Sequence, residues 1–279
     1  MLKTRVPTGA VIAAIICLVL LYSGNPWVLN TFIAVLSVQA VRELYQAVKL
    51  ADQKLVSWVS YIAAAVIAFL PIPGYDLWIA VLFGGGILLF LYLMRGIQKL
   101  HSVRPWMAVL IALMIVSFYK SMASIRKQTC GLLLLALAML ACSVTDIGAY
   151  FVGRQWGKHK LAPVISPKKT VEGAVGGTLA TLLAFLLAGW ILNRRGVVSV
   201  HMAALAVYLL LAAALGQFGD LAMSSVKRIV GIKDYGRLFP GHGGVLDRFD
   251  SLLFVLPFTY LFCTCIDPIL ADTVVTFLA

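Results

Sequence analysis

Long apolar runs separated by short polar breaks govern what this chain can become. They lie near residues 8–23, 26–41, 55–72, 76–94, 105–119, 129–151, 171–193, 200–224 and 251–271. A hydrocarbon layer about 30 Å thick is crossed by around 20 apolar residues of helix, and a backbone in lipid must satisfy its own hydrogen bonds. The pattern therefore predicts an all-α, polytopic integral membrane protein with about 8–9 transmembrane helices. Composition agrees, since 62% of residues are hydrophobic and 12% charged, against roughly 45–50% and 25% in soluble domains. The first run follows Lys3 and Arg5 as the apolar core of a signal peptide would. No A-x-A site follows it and more hydrophobic runs do, so an uncleaved first span is expected.

Basic residues set the expected orientation, because Lys and Arg are retained on the cytoplasmic side. With nine spans and the N-terminus inside, the far side receives only Lys120, Arg126, Lys127, Arg194 and Arg195. All the others among the 23 basic residues then face the cytoplasm. A multi-pass protein of the plasma (inner) membrane with a cytoplasm-facing active site is the expectation. The net charge of +12 suits anionic headgroups or nucleotides, although positive-inside bias alone produces much of it. No nucleic-acid partner is expected. Cys17, Cys130, Cys142, Cys263 and Cys265 lie in apolar runs without metal-ligand spacing and read as packing residues.

Polar content changes character along the chain. Residues 1–128 carry almost no intramembrane charge and read as an N-terminal transmembrane scaffold. Residues 129–279, with carboxylates at span ends and glycine-rich basic loops, read as a C-terminal catalytic region. Asp146 and Asp220 stand near the ends of apolar spans, where an uncompensated carboxylate costs roughly 2.5–3.5 kcal/mol at mid-membrane. Each therefore faces a cavity, a partner or an ion, or else snorkels to the interface. After Asp220, Ser224, Lys227 and Arg228 follow at i+4, i+7 and i+8, a spacing that stacks them in one helical stripe. A carboxylate, a hydroxyl and two cations on one face suit a metal–polyphosphate complex.

The helix is predicted to stop at Gly231. From there to Gly244 the chain is rich in glycine, with Lys233, Asp234, Arg237 and His242 interleaved. Such a loop turns backbone N–H groups toward an anion, and Gly243 and Gly244 are assigned to substrate. The run from Gly231 to Leu238 fails the G-x-x-x-x-G-K-[ST] pattern, which excludes a P-loop. Asp247 and Asp250, with Arg248 between them, stand at the start of the last apolar run, where they serve a site or cap the helix. Upstream, the basic loop from Gly153 to Gly173 holds Ser166, Lys168 and Lys169 and is predicted to enter a helix at Thr170. Gly173 and Gly177 form a small-x-x-x-small step for close helix packing.

These motifs resemble the phosphatidate cytidylyltransferase (CDP-diacylglycerol synthase) family. The resemblance is carried by Ser224-Ser225-Val226-Lys227-Arg228, Lys233-Asp234-Tyr235-Gly236 and the run from Leu238 to Asp250. Asp146-Ile147-Gly148-Ala149-Tyr150 and Ser166 to Gly173 extend it upstream. Tyr235 departs from the family pattern, which often has Ser there. The resemblance implies that CTP and phosphatidic acid give CDP-diacylglycerol and pyrophosphate, with Mg²⁺ required and a monovalent cation such as K⁺ beside it. It also implies that Asp220 and Asp247 bind metal, with Asp146 and Asp250 as further acidic candidates. Catalysis then falls to Asp220, Lys227, Arg228 and Asp247. Substrate contacts fall to Ser166, Lys168, Lys169, Ser224, Lys233, Asp234, Arg237, His242, Gly243, Gly244 and Arg248. A homodimer is compatible with this reading. The rivals are a CTP-dependent polyprenol or lipid kinase, which releases CDP, and an ion-coupled transporter, which normally keeps its site near the midplane between repeats.

Overall fold

A computed structural model describes residues 2–97, 103–241 and 243–265, and the predicted contact of His242 lies outside them. Nine helices occur among the described residues: α1 (Leu2–Leu21), α2 (Pro26–Ala47), α3 (Lys54–Phe69), α4 (Tyr75–Arg95), α5 (Pro105–Arg126), α6 (Gly131–Trp156), α7 (Val171–Arg194), α8 (Met202–Ile229) and α9 (Leu246–Cys265). Each contains or overlaps one of the apolar runs. Of these, α2, α4, α5, α6, α7 and α8 are long and apolar enough to cross a membrane, so the chain is a helical membrane protein.

Local chemistry explains the helix ends. Asn25 caps α2 by accepting from the Trp27 amide, and Pro26 and Pro105 occupy first-turn positions where a missing N–H does no harm. Thr170 caps α7, its hydroxyl accepting from the Gly173 amide at 3.1 Å, as the predicted helix start requires. At the other end of α8, Gly231 takes φ +74°. The Ile232 amide then reaches back to Lys227 O and the Gly231 amide to Arg228 O, a Schellman closure that ends the helix where glycine predicts it.

Two helices are longer than the hydrocarbon layer demands. With 28 residues in α8 and 26 in α6, their lengths are about 42 and 39 Å at 1.5 Å per residue. Their C-terminal turns carry Asp220 to Arg228 and Asp146 to Arg154.

One element departs from the all-helical expectation. The basic loop after α6 forms a two-stranded antiparallel hairpin, β1 (Lys160–Ala162) and β2 (Ser166–Thr170), pairing Lys160 with Thr170 and Ala162 with Ser166. Two short strands are marginal alone, and Pro167 is tolerated because both strands are edges. The hairpin is held from outside: Ile165 at its turn is buried, and Arg228 Nε donates to the Ile165 carbonyl at 3.0 Å.

The most extensive helix pair is α6 with α7, followed by α8 with α9. Glycine makes the first pair possible, as the small-residue step predicts. A Cβ on Gly177 would lie 2.4 Å from Thr145 O, and one on Gly173 would lie 2.7 Å from Ala149 O. The two backbones are thus nearly in contact beside Asp146, and Thr145 and Thr181 share a hydroxyl hydrogen bond of 2.7 Å across the seam. An aromatic core around Phe254, ringed by Phe83, Phe90, Phe118 and Phe218, packs α9 against α4, α5 and α8.

Gly177→Val should lower stability by about 1–3 kcal/mol through overpacking. Gly85→Ala, on α4 where an added Cβ meets nothing within 4 Å, should be neutral or stabilising by up to about 1 kcal/mol. Thermal unfolding of both variants in detergent checks this contrast.

Candidate active site

The C-terminal turns of α6 and α8, the hairpin, the loop after α8 and the first turn of α9 converge. Lys169, on β2, places its ammonium 2.5 Å from Asp220 Oδ2, and Ser224, one turn along α8, donates to Asp220 Oδ1 at 3.1 Å. Asp146, Arg154, Lys168, Lys169 and Asp220 all line a cavity of about 360 Å³ between α6, α7, α8 and the hairpin. Two carboxylates and three cations thus share one partly open chamber. Asp250 is buried nearby, close enough to Asp220, Lys227 and Asp146 for their charges to act on it.

Lys227 and Asp247 form the buried centre. Their side chains are 9% and 2% exposed and meet at 2.8 Å. Asp247 Oδ2 also accepts from the backbone amides of Tyr235 at 2.8 Å and Gly244 at 3.0 Å. One carboxylate therefore joins the end of α8, the middle of the loop and the start of α9. Tyr235, the departure from the family pattern, braces this knot. Its ring lies 5.3 Å from the Lys227 ammonium in cation–π range, and its hydroxyl donates to Met223 O at 2.8 Å. Burial first, then the charges of Asp247 and Asp250, hold this phenol well above the ordinary tyrosine value, so it stays a neutral donor.

The stripe on α8 does not stay together. Asp220 and Ser224 face the hairpin cavity and Lys227 turns to Asp247. Arg228 donates to the carbonyls of Ile165 and Ile232. Lys227, only about 20° off the Asp220 line, is drawn away by its buried counter-ion Asp247; helix geometry accounts for Arg228, since at 100° per residue i+8 falls about 80° past two full turns. Arg228 is thereby spent on fastening the hairpin and the helix end.

A second polar cavity, of about 650 Å³, lies within the glycine-rich loop and is lined by Lys233, Asp234, Arg237, Gly243 and Arg248. Arg248, which lines this second cavity, is near enough to Asp146 for its charge to act on it. Ser166 sits at the start of β2, with Lys168 and Lys169 beyond it in the first chamber. Among the described residues no group of three His, Cys, Asp or Glu side chains is close enough to hold a metal ion by itself.

One participant escaped the sequence reading. Glu43, on α2, is 1% exposed and accepts from the Val245 amide at 3.0 Å, the Leu246 amide at 2.9 Å and Gln39 Nε2 at 3.0 Å. It is the carboxylate at the N-terminus of α9, supplied from another helix, where the dipole favours negative charge. Its bed requires glycine: a Cβ on Gly244 would lie 2.3 Å from Glu43 Oε2 and one on Gly236 2.8 Å from Oε1. A lone acidic residue at the basic end of a scaffold span was the available signal. Arg154 is a second such participant, visible in the sequence only as one of many basic loop residues.

Glu43→Ala should free the loop over residues 231–244. We expect faster limited proteolysis there and a loss of about 1.5–3 kcal/mol per charged hydrogen bond removed, with Glu43→Gln intermediate.

Comparison with known proteins gives the chain a family. Residues 3–266 match the cytidylyltransferase family. A phosphatidate cytidylyltransferase of Staphylococcus epidermidis is 36% identical over 264 residues, covering 92% of this chain and 96% of the relative. One from Staphylococcus aureus strain COL is 35% identical over 260 residues with the same coverage. A third, from Staphylococcus saprophyticus, is 47% identical over 127 residues, 46% of this chain and 47% of the relative. With a family match over nearly its whole length and a converging set of carboxylates and cations to go with it, the chain belongs to the cytidylyltransferase family.

Proposed function

We propose that the chain is a phosphatidate cytidylyltransferase, moving CMP from CTP to phosphatidic acid to give CDP-diacylglycerol and pyrophosphate. The observation that carries the reading is the presence of two cationic chambers, one lined by Arg154, Lys168 and Lys169 with Asp146 and Asp220, the other by Lys233, Arg237 and Arg248. The relatives' names supply the substrates. Eight or nine spans are favoured, with α1, α3 and α9 joining the six long helices. Positive-inside bias supports a plasma-membrane protein whose chambers open to the cytoplasm.

In this reading the nucleotide's phosphates enter the hairpin chamber. Lys168, Lys169 and Arg154 neutralise them there, while Lys227, buried against Asp247, holds the loop in place. The acceptor phosphate enters the loop chamber, where Lys233, Arg237 and Arg248 meet it. An acceptor oxygen forms a bond to the α-phosphorus while the bond from that phosphorus to the bridging β-phosphate oxygen breaks, and pyrophosphate leaves. Phosphatidate is already anionic near neutral pH, so no strong base is needed. The protein's work is alignment and charge neutralisation.

The donor set fits Mg²⁺. Asp220, Asp146 and Asp250 are hard oxygen ligands within electrostatic reach of one another. Mg²⁺ is usually held by one or two carboxylates with waters and substrate phosphates, so a full protein cage is not required. Asp220, at the chamber wall, is the favoured ligand, its partly exposed partner Lys169 turning to the incoming phosphates to free Oδ2. Asp247, engaged by Lys227 and two amides, serves chiefly to set the loop and reaches a metal only by giving up a partner. The metal would supply charge neutralisation on the phosphates. A monovalent cation beside it rests on the resemblance alone.

Purified protein incubated with labelled CTP and phosphatidate should release pyrophosphate and form the liponucleotide. Release of CDP instead would assign a lipid kinase. Asp220→Asn should reduce turnover by about 100-fold or more, in the range of losing one preorganised electrostatic contact, and raise the Mg²⁺ requirement while membrane insertion persists. Near-normal turnover would sink the metal assignment. Asp247→Asn should abolish activity and also lower stability, because it leaves Lys227 buried without its counter-ion.

A further inference from the structure

An apolar groove of about 610 Å³ runs between α1, α2 and α3 to the glycine-rich loop, walled by Ile16, Val35, Ala65, Leu238 and Phe239 among others. Its one polar lining residue, Gln39, already donates to Glu43. Water inside would find almost no partners, so hydrocarbon is the favoured filling. Val35 is 65% exposed and Leu238 54%, so the groove opens sideways to the bilayer. Gaps between membrane helices commonly hold lipid of any kind. What distinguishes this one is its end, where Phe239 lines both the groove and the loop chamber of Lys233, Arg237 and Arg248. A hydrocarbon trough that runs into a cationic pocket is complementary to an amphiphile with an anionic head.

We propose that this groove receives an acyl chain of the lipid acceptor while the loop chamber takes its phosphate. The proposal rests on the lipid-acceptor reading above and adds a path: the lipid arrives past α1 and α2. Arg248, on the wall of the loop chamber, then meets the acceptor phosphate. Leu238 and Phe239 gain a purpose as the apolar lip of an otherwise polar loop.

The test compares dioleoyl with dihexanoyl phosphatidate on the purified full chain. Val35→Trp and Ala65→Phe, which fill the groove from α2 and α3, should raise KM for the dioleoyl lipid about tenfold, the effect of losing a few buried methylenes. KM for the dihexanoyl lipid and for CTP should hold. Leu183→Trp, on the exposed face of α7, should change none of these. An equal rise for both lipids, or none, overturns the proposal. Independently of any variant, phosphatidate with a photoreactive acyl chain should label residues 12–39 of the wild-type protein. Labelling confined to α6 and α7 also overturns it. Failure of the wild type to convert either lipid would instead defeat the cytidylyltransferase reading, leaving the labelling result to judge the groove.

Discussion

The architecture of the site depends on one buried ion pair. Lys227 and Asp247 are withdrawn from water, where an unpaired charge is far more costly than the pair is worth, so removing either partner costs about 3–5 kcal/mol. Asp247 satisfies its remaining lone pairs on the Tyr235 and Gly244 amides, and Tyr235 covers the ammonium. A single carboxylate therefore fixes how α8 ends, how the loop folds back and where α9 begins. Asp250, one turn further on, inherits its position beside Asp220 from that arrangement.

Much of this was legible in the sequence because it is local. Nine apolar runs became nine helices, Gly231 ended α8, Thr170 began α7, and the Gly173–Gly177 step brought α7 onto α6. Each follows from a rule acting over a few residues. What was not legible is where side chains go once helices meet. Arg228 belongs by spacing to the Asp220 stripe, yet a rotation of about 80° hands it to the hairpin. The hairpin hides in a basic, proline-containing stretch with little strand propensity, and it exists because Arg228 and a buried Ile165 hold it in place.

The glycines of the loop acquire distinct meanings in three dimensions. Gly231 and Gly243 supply left-handed backbone, at φ +74° and +85°. Gly236 and Gly244 instead make room for the Glu43 carboxylate. Composition suggests an anion-binding loop, and the loop does point cations at a chamber, but two of its glycines serve a protein anion rather than a ligand. That anion balances the start of α9, which leaves Asp247 free to hold Lys227.

The Glu43 contact also sets an order of events during synthesis. Its backbone partners, Val245 and Leu246, lie 202 and 203 residues further along the chain. Helices enter the membrane from the N-terminus onward, so α2 is in place, its carboxylate bonded only to Gln39 of the same helix, long before α9 emerges from the ribosome. Until then the loop lacks its bonds to Asp247 and Lys227 lacks its counter-ion. Insertion of α9 thus completes the site, and a chain interrupted before it would carry most of the charged residues yet have no working geometry in which to use them.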